Sequence, residues 1–478
     1  MLLCAQHVLP VSSAPIENGA ILVKDGTIAD IGQADMMRMR YADEEVRDFG
    51  MAALCPGMID LYARLEDAIM RGLMNDVPYA AWMKEISDLR RRLTPEESYE
   101  SAYLGALEAL ASGITTVGDV TTTGACAKAA DKLGLRAVVY REVSAIDKNL
   151  VNYALKKGVG DLEKWSKNLT SDRVSFGLAP APVFQCHPLI FKTVSQYALE
   201  HDLPVAIRLA GSREEYRFVK HGRAIESDIR FELSGFMELP PWLPTGVTPV
   251  NYVLNWDGFD AENVMVIYGV WVDNDDINKL KEYDVAIAVT PSLNAQLGMG
   301  VAPVDEYLRA GLRVGLATGA PGSLDFVDIF TEMRVELLIQ RALNNRDFIS
   351  AQTLLEMGTL SSAKVLGIDD KVGSLEVGKQ ADIIAIDLAG SHQTSTNDPI
   401  FTLLSSASNN DVMMTMVDGD ILFERGQWQE HRTGAQHSQF ASSAVARKSH
   451  KGLEHILFYG IVCITPNRAM AAPLSKVK

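Results

Sequence analysis

Histidine is scarce where a metal-dependent enzyme would need it. Of the nine in 478 residues, only His187, His201 and His221 fall in the long central part of the chain. Basic runs are missing too. No five consecutive Lys or Arg residues interrupt a chain of net charge −16, which excludes a surface built to track phosphates along a nucleic acid. The five cysteines (Cys4, Cys55, Cys126, Cys186 and Cys463) are odd in number, far apart and never in CxxC spacing. That pattern argues against a disulfide frame or a zinc knuckle and suits buried or free thiols. No stretch of 18 apolar residues occurs, and the opening "MLLCAQHVLPV" has no basic segment ahead of a long apolar run. Neither a membrane span nor a secretory leader is therefore expected, and a cytoplasmic location is.

What is present reads as an ordinary globular protein, 47% hydrophobic and 22% charged, but longer than one core usually organises. Both ends carry short strands with hairpin turns. "GAILVKDGTIADIG" places a turn at Asp25-Gly26, and "VMMTMVDGDILFERGQW" places another at Asp418-Gly419. These ends predict one small β-domain built from residues 1–55 and 362–430. The middle, 56–361, alternates apolar strands with amphipathic helices. "LTPEESYESAYLGALEALASG" reads as a helix with a capping box from Thr94 to Glu97, Pro95 at its first position and Gly113 closing it. Eight apolar segments, from "PGMIDLYAR" through "ITTVGDV", "RAVVYREV", "VSFGLAP", "PVAIRLAG", "VMVIYGVW" and "VAIAVTPS" to "RVGLATGA", predict a (β/α)8 barrel with its site at the strands' C-terminal ends. Residues 431–478 form an extension. Its segment "LEHILFYGIVCIT" is apolar but too short to cross a bilayer.

"PGMIDLYARL", "RGLMNDVPYAAWM", "LTPEESYESAYLGALEALASGITTVGDV", "APVDEYLRAGLRVGLATGA", "DIFTEMR" and "KVGSLEVGKQADIIAIDL" occur in that order. Together they resemble the amidohydrolase superfamily, in the branch of cytosine and guanine deaminases, adenosylhomocysteine deaminases and triazine chlorohydrolases. The resemblance runs over residues 1–430. It implies a distorted barrel of the TIM type with a small β-sandwich, hydrolysis of C–N or C–Cl bonds on nitrogen heterocycles by metal-bound hydroxide, and a homo-oligomer.

The resemblance also implies a zinc or iron centre, and the residues at the positions of its ligands differ one by one. The His-x-His after the first strand falls on Tyr62 and Arg64. The fifth-strand "H-x-H-x-A-E" pattern falls on Ala206, Arg208 and Gly211. The sixth-strand histidine falls on Tyr268, the histidine three residues on becomes Trp271, and the eighth-strand aspartate falls on Gly319. No metal cofactor is expected here, because one imidazole cannot hold a catalytic zinc and two guanidiniums repel a divalent cation.

Tyr62, Arg64, Arg208, Tyr268, Glu142 and His187 are thus the candidate catalytic residues. Asp119, Trp82, Trp271, Ser292 and Asn294 are the candidate substrate contacts. Two readings of the cluster are open. Arg, Tyr and carboxylate side chains fill a vacated cavity and pair with one another, with Glu142, Asp119 and Asp60 as counter-ions. Or the arginines bind an anionic ligand, with Tyr62, Tyr268 or His187 handling its proton. His201 and His221 are expected at helix ends away from the site. The charged helix "WMKEISDLRRR" is expected to present a solvated face. At the level of function, the first expectation is a metal-free divergent member binding a small anionic or heterocyclic molecule. The alternatives are a catalytically silent homologue assembled with an active paralogous subunit, and a still-active metal hydrolase.

Overall fold

A computed structural model describes residues 1–222, 243–322, 324, 326–344, 348–393 and 397–428. The extension 431–478, with Cys463 and the "LEHILFYGIVCIT" segment, lies outside the described residues.

The eight apolar segments of the middle form one parallel sheet in sequential order: β6 (Met58–Asp60), β7 (Ile114–Thr121), β8 (Arg136–Val143), β9 (Val174–Pro180), β10 (Val205–Leu209), β11 (Val264–Tyr268), β12 (Ala286–Val289) and β13 (Val314–Leu316). They are near-continuous runs of apolar residues because they are covered on both faces, by helices outside and by one another's side chains inside. The last strand closes on the first. Leu61 N donates to Leu316 O at 3.0 Å. Asp60 accepts from Thr318 Oγ1 at 2.5 Å, Thr318 N at 3.1 Å and Tyr62 N at 3.0 Å, so its carboxylate is a staple across the seam. Asp60 is therefore not the arginine partner that the sequence offered, since these three donors occupy it.

Helix starts follow local chemistry. The helix Pro95–Ala111 has the reciprocal bonds of its capping box, Glu97 N to Thr94 Oγ1 at 3.2 Å and Thr94 N to Glu97 Oε2 at 2.9 Å.

The chain ends meet in a second sheet. β1 (Leu2–Val8), β2 (Ile16–Lys24), β3 (Thr27–Gln33), β4 (Val46–Asp48) and β5 (Ala52–Pro56) are joined by β14 (Ile383–Asp387), β15 (Val412–Val417), β16 (Asp420–Glu424) and β17 (Gln427–Trp428). The order is β17-β16-β15-β14-β5-β1-β2-β3, with β4 beside β1. Both predicted hairpins are present, with Asp25 and Asp418 in left-handed conformation at φ 50° and 53°. The sheet bends so that Thr27 bridges Gln380, and it encloses its own core of Leu3, Ile21, Leu54, Ile383, Met414 and Met416. Asp382, just ahead of β14, takes both arms of the barrel residue Arg136 at 3.0 Å, and this buried pair ties the two sheets together. Cys4, Cys55 and Cys126 are free and buried, and Cys186 is buried.

Candidate active site

Side chains at the C-terminal ends of β6, β7, β8, β10 and β11 gather into one charged and phenolic cluster. Tyr62 and Arg64 follow β6, Asp119 and Glu142 stand late in β7 and β8, Arg208 is the fourth residue of β10, and Tyr268 ends β11. Residues more than two hundred positions apart, such as Tyr62 and Tyr268, meet because each occupies the same level of its own strand.

Arg208 donates from Nη2 to Glu142 Oε2. The pair keeps some access to solvent, 12% for Arg208 and 17% for Glu142, whereas the apolar side chains beside them, Ile207 and Leu209, are fully buried. Arg64 is in left-handed conformation at φ 49°, donates from Nη1 to Val120 O at 2.9 Å and places Nε 3.6 Å from Asp67. Tyr62 and Tyr268 pack edge to face, with ring centroids 6.0 Å apart and planes perpendicular. Tyr268 is also in left-handed conformation, at φ 85°. Such a backbone is costly for an aromatic residue and is held here by the packing around it.

The charges of the cluster are coupled. Burial opposes ionisation of Glu142, yet Arg208, Arg64, Arg90 and Arg141 together hold its carboxyl below the usual range. Burial likewise opposes Asp67, and Arg90 and Arg64 pull it down. Asp119 goes the other way. Burial and Glu66 push it up to about 7 against the pull of Arg64, and its oxygen Oδ2 is turned to Leu65 N at 2.8 Å. Glu215 is also pushed up to about 7 by burial, while accepting from Ala210 N and Gly211 N, each at 2.9 Å. Burial raises Tyr268, with Tyr62 and Tyr79 adding to the effect, so its hydroxyl stays protonated at neutral pH.

Four members of this neighbourhood were missed in the sequence: Asp67, Tyr79, Arg90 and Glu215. Arg90 belongs to the "WMKEISDLRRR" helix, and the expectation of a wholly solvated face is corrected there. Tyr79, Trp82, Met83 and Ile86 of the helix Tyr79–Arg92 are buried. Their spacing of three and four residues continues to Arg90, which grips Asp67 with both Nε and Nη2. That periodicity was the available signal.

The candidate substrate contacts divide. Trp82 is buried against Tyr79, with ring centroids 6.2 Å apart, and its Nε1 has no hydrogen-bond partner among the described residues. Trp271 donates to Met299 O at 2.7 Å, Asn294 Oδ1 accepts from Thr290 Oγ1 at 2.9 Å, and Ser292 N donates to Glu332 at 2.9 Å. These bonds hold the segment after β12, which is the helix Pro291–Gln296 and the loop that follows it. Tyr79 N reaches the same loop through Leu297 O at 3.0 Å. His187 lies beyond β9 with its ring edge-on to Trp256 at 6.4 Å, and its Nδ1 accepts from Leu189 N at 3.2 Å. His201 and His221 end the helices Leu189–Glu200 and Arg213–His221, as expected.

At two positions where the resemblance expects acidic groups, the space for a side chain is taken. A Cβ on Gly211 would stand 2.7 Å from Cδ2 of Tyr268, and one on Gly319 would stand 2.6 Å from Cδ2 of Leu293. Among the described residues, no group of three His, Cys, Asp or Glu side chains could hold a metal ion.

The family model for amidohydrolases matches residues 53–422. The 5-methylthioadenosine/S-adenosylhomocysteine deaminase of Thermococcus kodakarensis is 30% identical over 420 residues, covering 87% of this chain and 92% of its own. The enzyme of the same name from Thermodesulfovibrio yellowstonii is 27% identical over 437 residues, covering 89% and 93%. Among solved structures, an adenosine deaminase from Xanthomonas campestris with bound zinc superposes with a TM-score of 0.81 at 20% identity, over 96% of this chain and 98% of that one. An atrazine chlorohydrolase from Arthrobacter aurescens complexed with zinc gives 0.76 at 23%, over 93% and 99%. The barrel, the sheet made from both chain ends and these matches place the chain in the amidohydrolase family, among its deaminase-like hydrolases.

Proposed function

We propose that this protein is a divergent amidohydrolase-family member that binds a small anionic or heterocyclic molecule at the strand ends without a metal ion. The observation that carries the proposal is the ion pair of Arg208 with Glu142, beside Arg64, at positions where the resemblance expects imidazoles. A catalytic zinc takes three protein ligands of N, O or S type, and a guanidinium cannot serve as one because it has no free lone pair at any working pH. In a metal-dependent relative the ion supplies a water acidified to about 7. Here the donor set does not fit that ion, and the Tyr268 ring and Leu293 fill the spaces beside Gly211 and Gly319.

The residues present support different chemistry. Arg64 and Arg208 stabilise negative charge on a bound molecule, and Tyr62 and Tyr268 offer hydroxyls beside it. The helix Tyr79–Arg92, anchored at Leu297 O, brings Tyr79 to the cluster, with Trp82 stacked on it. The test is elemental analysis of protein purified without chelators. Zinc and iron are expected far below one equivalent per chain, and a near-stoichiometric content would overturn the proposal.

A further inference from the structure

We infer that the ligand of this centre is a singly charged carboxylate-type anion, held by the spare N–H groups of Arg64 and Arg208 on either side of Glu142, rather than a neutral heterocycle. This rests on the reading above and narrows it to one chemical class.

Both arginines have donors to spare. A guanidinium has five N–H donors in a rigid fork. Arg208 donates to Glu142 Oε2 and Arg64 to Val120 O, which uses a small part of either fork. Asp67 approaches Arg64 only at ion-pair distance, 3.6 Å. The side chains of both residues keep some exposure, 9% for Arg64 and 12% for Arg208, so neither fork is fully sealed in protein. Carboxylate oxygens match that fork with two parallel bonds, whereas a ring nitrogen accepts only one.

Charge selects among guests. Arg64, Arg90 and Arg208 face two carboxylates, Glu142 between Arg64 and Arg208, and Asp67 between Arg64 and Arg90. Two further carboxyls are near and both are turned to backbone groups: Asp119 spends an oxygen on Leu65 N and takes the Cys126 thiol, Glu215 spends its oxygens on Ala210 N and Gly211 N, and burial raises each to about 7, so neither is a full counter-charge. Arg141, which also acts on Glu142, has Asp161 as its own partner. Arg208 and Arg64 also repel each other. A neutral guest leaves one guanidinium short of a counter-ion in a largely buried site, which is expensive. A monoanion completes the set. A dianion overfills it and faces Glu142 besides.

The walls are phenolic. Tyr62, Tyr79 and Tyr268 lie close enough to Arg208 to interact electrostatically with it or with one another, and the hydroxyls not spent on the Tyr62–Tyr268 hydrogen bond can donate to an anion's outer lone pairs.

The experiment pairs each anion with its neutral isostere, using acetate against acetamide and benzoate against benzamide, with inorganic phosphate as the dianion. Binding to the full-length protein is followed by thermal melting and isothermal titration at constant ionic strength. The carboxylates are expected to bind with Kd at or below about 1 mM and at least tenfold more tightly than the amides. In Arg208→Met that preference should disappear. In Glu142→Gln, which removes the competing carboxylate, benzoate should bind severalfold more tightly. Amides that bind as well as the acids, phosphate that outcompetes both carboxylates, or no carboxylate binding to the unmodified protein would each overturn the inference. The comparison on unmodified protein stands even if a variant fails to fold. Metal content of the same sample separates the two failures. Stoichiometric zinc sinks the metal-free reading, while metal-free protein that ignores carboxylates sinks only this one.

Discussion

Replacing Glu142 by Gln keeps the shape of the side chain and removes the one charge that Arg64 and Arg208 share. Breaking a buried ion pair from one side costs about 3–5 kcal/mol, because the partner is left desolvated and unpaired. Here Glu142 and Arg208 retain 17% and 12% exposure. Solvent screening therefore brings the expectation to the low end, about 3 kcal/mol. Arg208→Met should cost less, about 1–2 kcal/mol, since Glu142 keeps Arg64 and Arg90 as neighbours. The double variant should be more stable than the sum of the two losses by about 1.5 kcal/mol or more, because the second substitution removes the charge stranded by the first. Urea unfolding followed by tryptophan fluorescence measures all three, with equal slopes required before midpoints are compared. The pH dependence gives a second check. Because the folded carboxyl lies below its unfolded value, its stabilisation is complete above pH about 4.5 and is lost as the pH falls through the folded value. The gap between native protein and Glu142→Gln should close in acid. Strict additivity, or a Glu142→Gln loss under about 0.5 kcal/mol, would refute the idea that this carboxylate holds the cluster together.

Two more predictions follow from the same neighbourhood. Asp119 has its carboxyl raised to about 7, so the unfolded chain releases that proton first and the group lowers stability as the pH climbs from about 4 to about 7. Asp119→Asn should therefore lose less stability between pH 5 and pH 8 than the native chain does, by about 2–3 kcal/mol in urea titrations, and an unchanged pH dependence would count against it. Gly211→Ala drives a methyl to 2.7 Å from the Tyr268 ring and should cost about 1–3 kcal/mol. The same change in a Tyr268→Ala background should cost less than about 1 kcal/mol, and an equal loss in both backgrounds would show that the ring is not what fills the space.

The barrel was legible because each strand announces itself as an apolar run between turn residues, as in "VMVIYGVW" and "VAIAVTPS". The convergence of Tyr62, Arg64, Glu142, Arg208 and Tyr268 was legible for a related reason: strand order fixes which strand ends are neighbours. What lay between elements was harder to read. Asp60 looked like an arginine partner because a sequence does not tell which donors reach a carboxylate, and the seam with Thr318 claimed it. Arg90 was hidden in a run of charges whose buried stripe needed one more turn of counting. Tyr79 and Asp67 lie on the loop and helix after β6, whose course depends on anchors such as Leu297 O, more than two hundred residues away in sequence. The tight fit of Gly211 against Tyr268 could not be seen at all, since a missing side chain leaves no pattern.

The pairing of β5 with β14 has a consequence for biosynthesis. Pro56 lies opposite Ile383, so the edge that Ala52–Pro56 presents is completed only after about 330 further residues have been made. At roughly 5–20 residues per second, the nascent chain carries an unsatisfied apolar strand for about 15–65 s. Through that interval the backbone groups of β5 can template pairing with a neighbouring nascent chain. Premature termination anywhere between β13 and β14 would yield a polypeptide with every barrel strand but a permanently open edge. Such fragments should collect as aggregates rather than as soluble barrels, which makes the late strand Ile383–Asp387 a quality-control point for the whole chain.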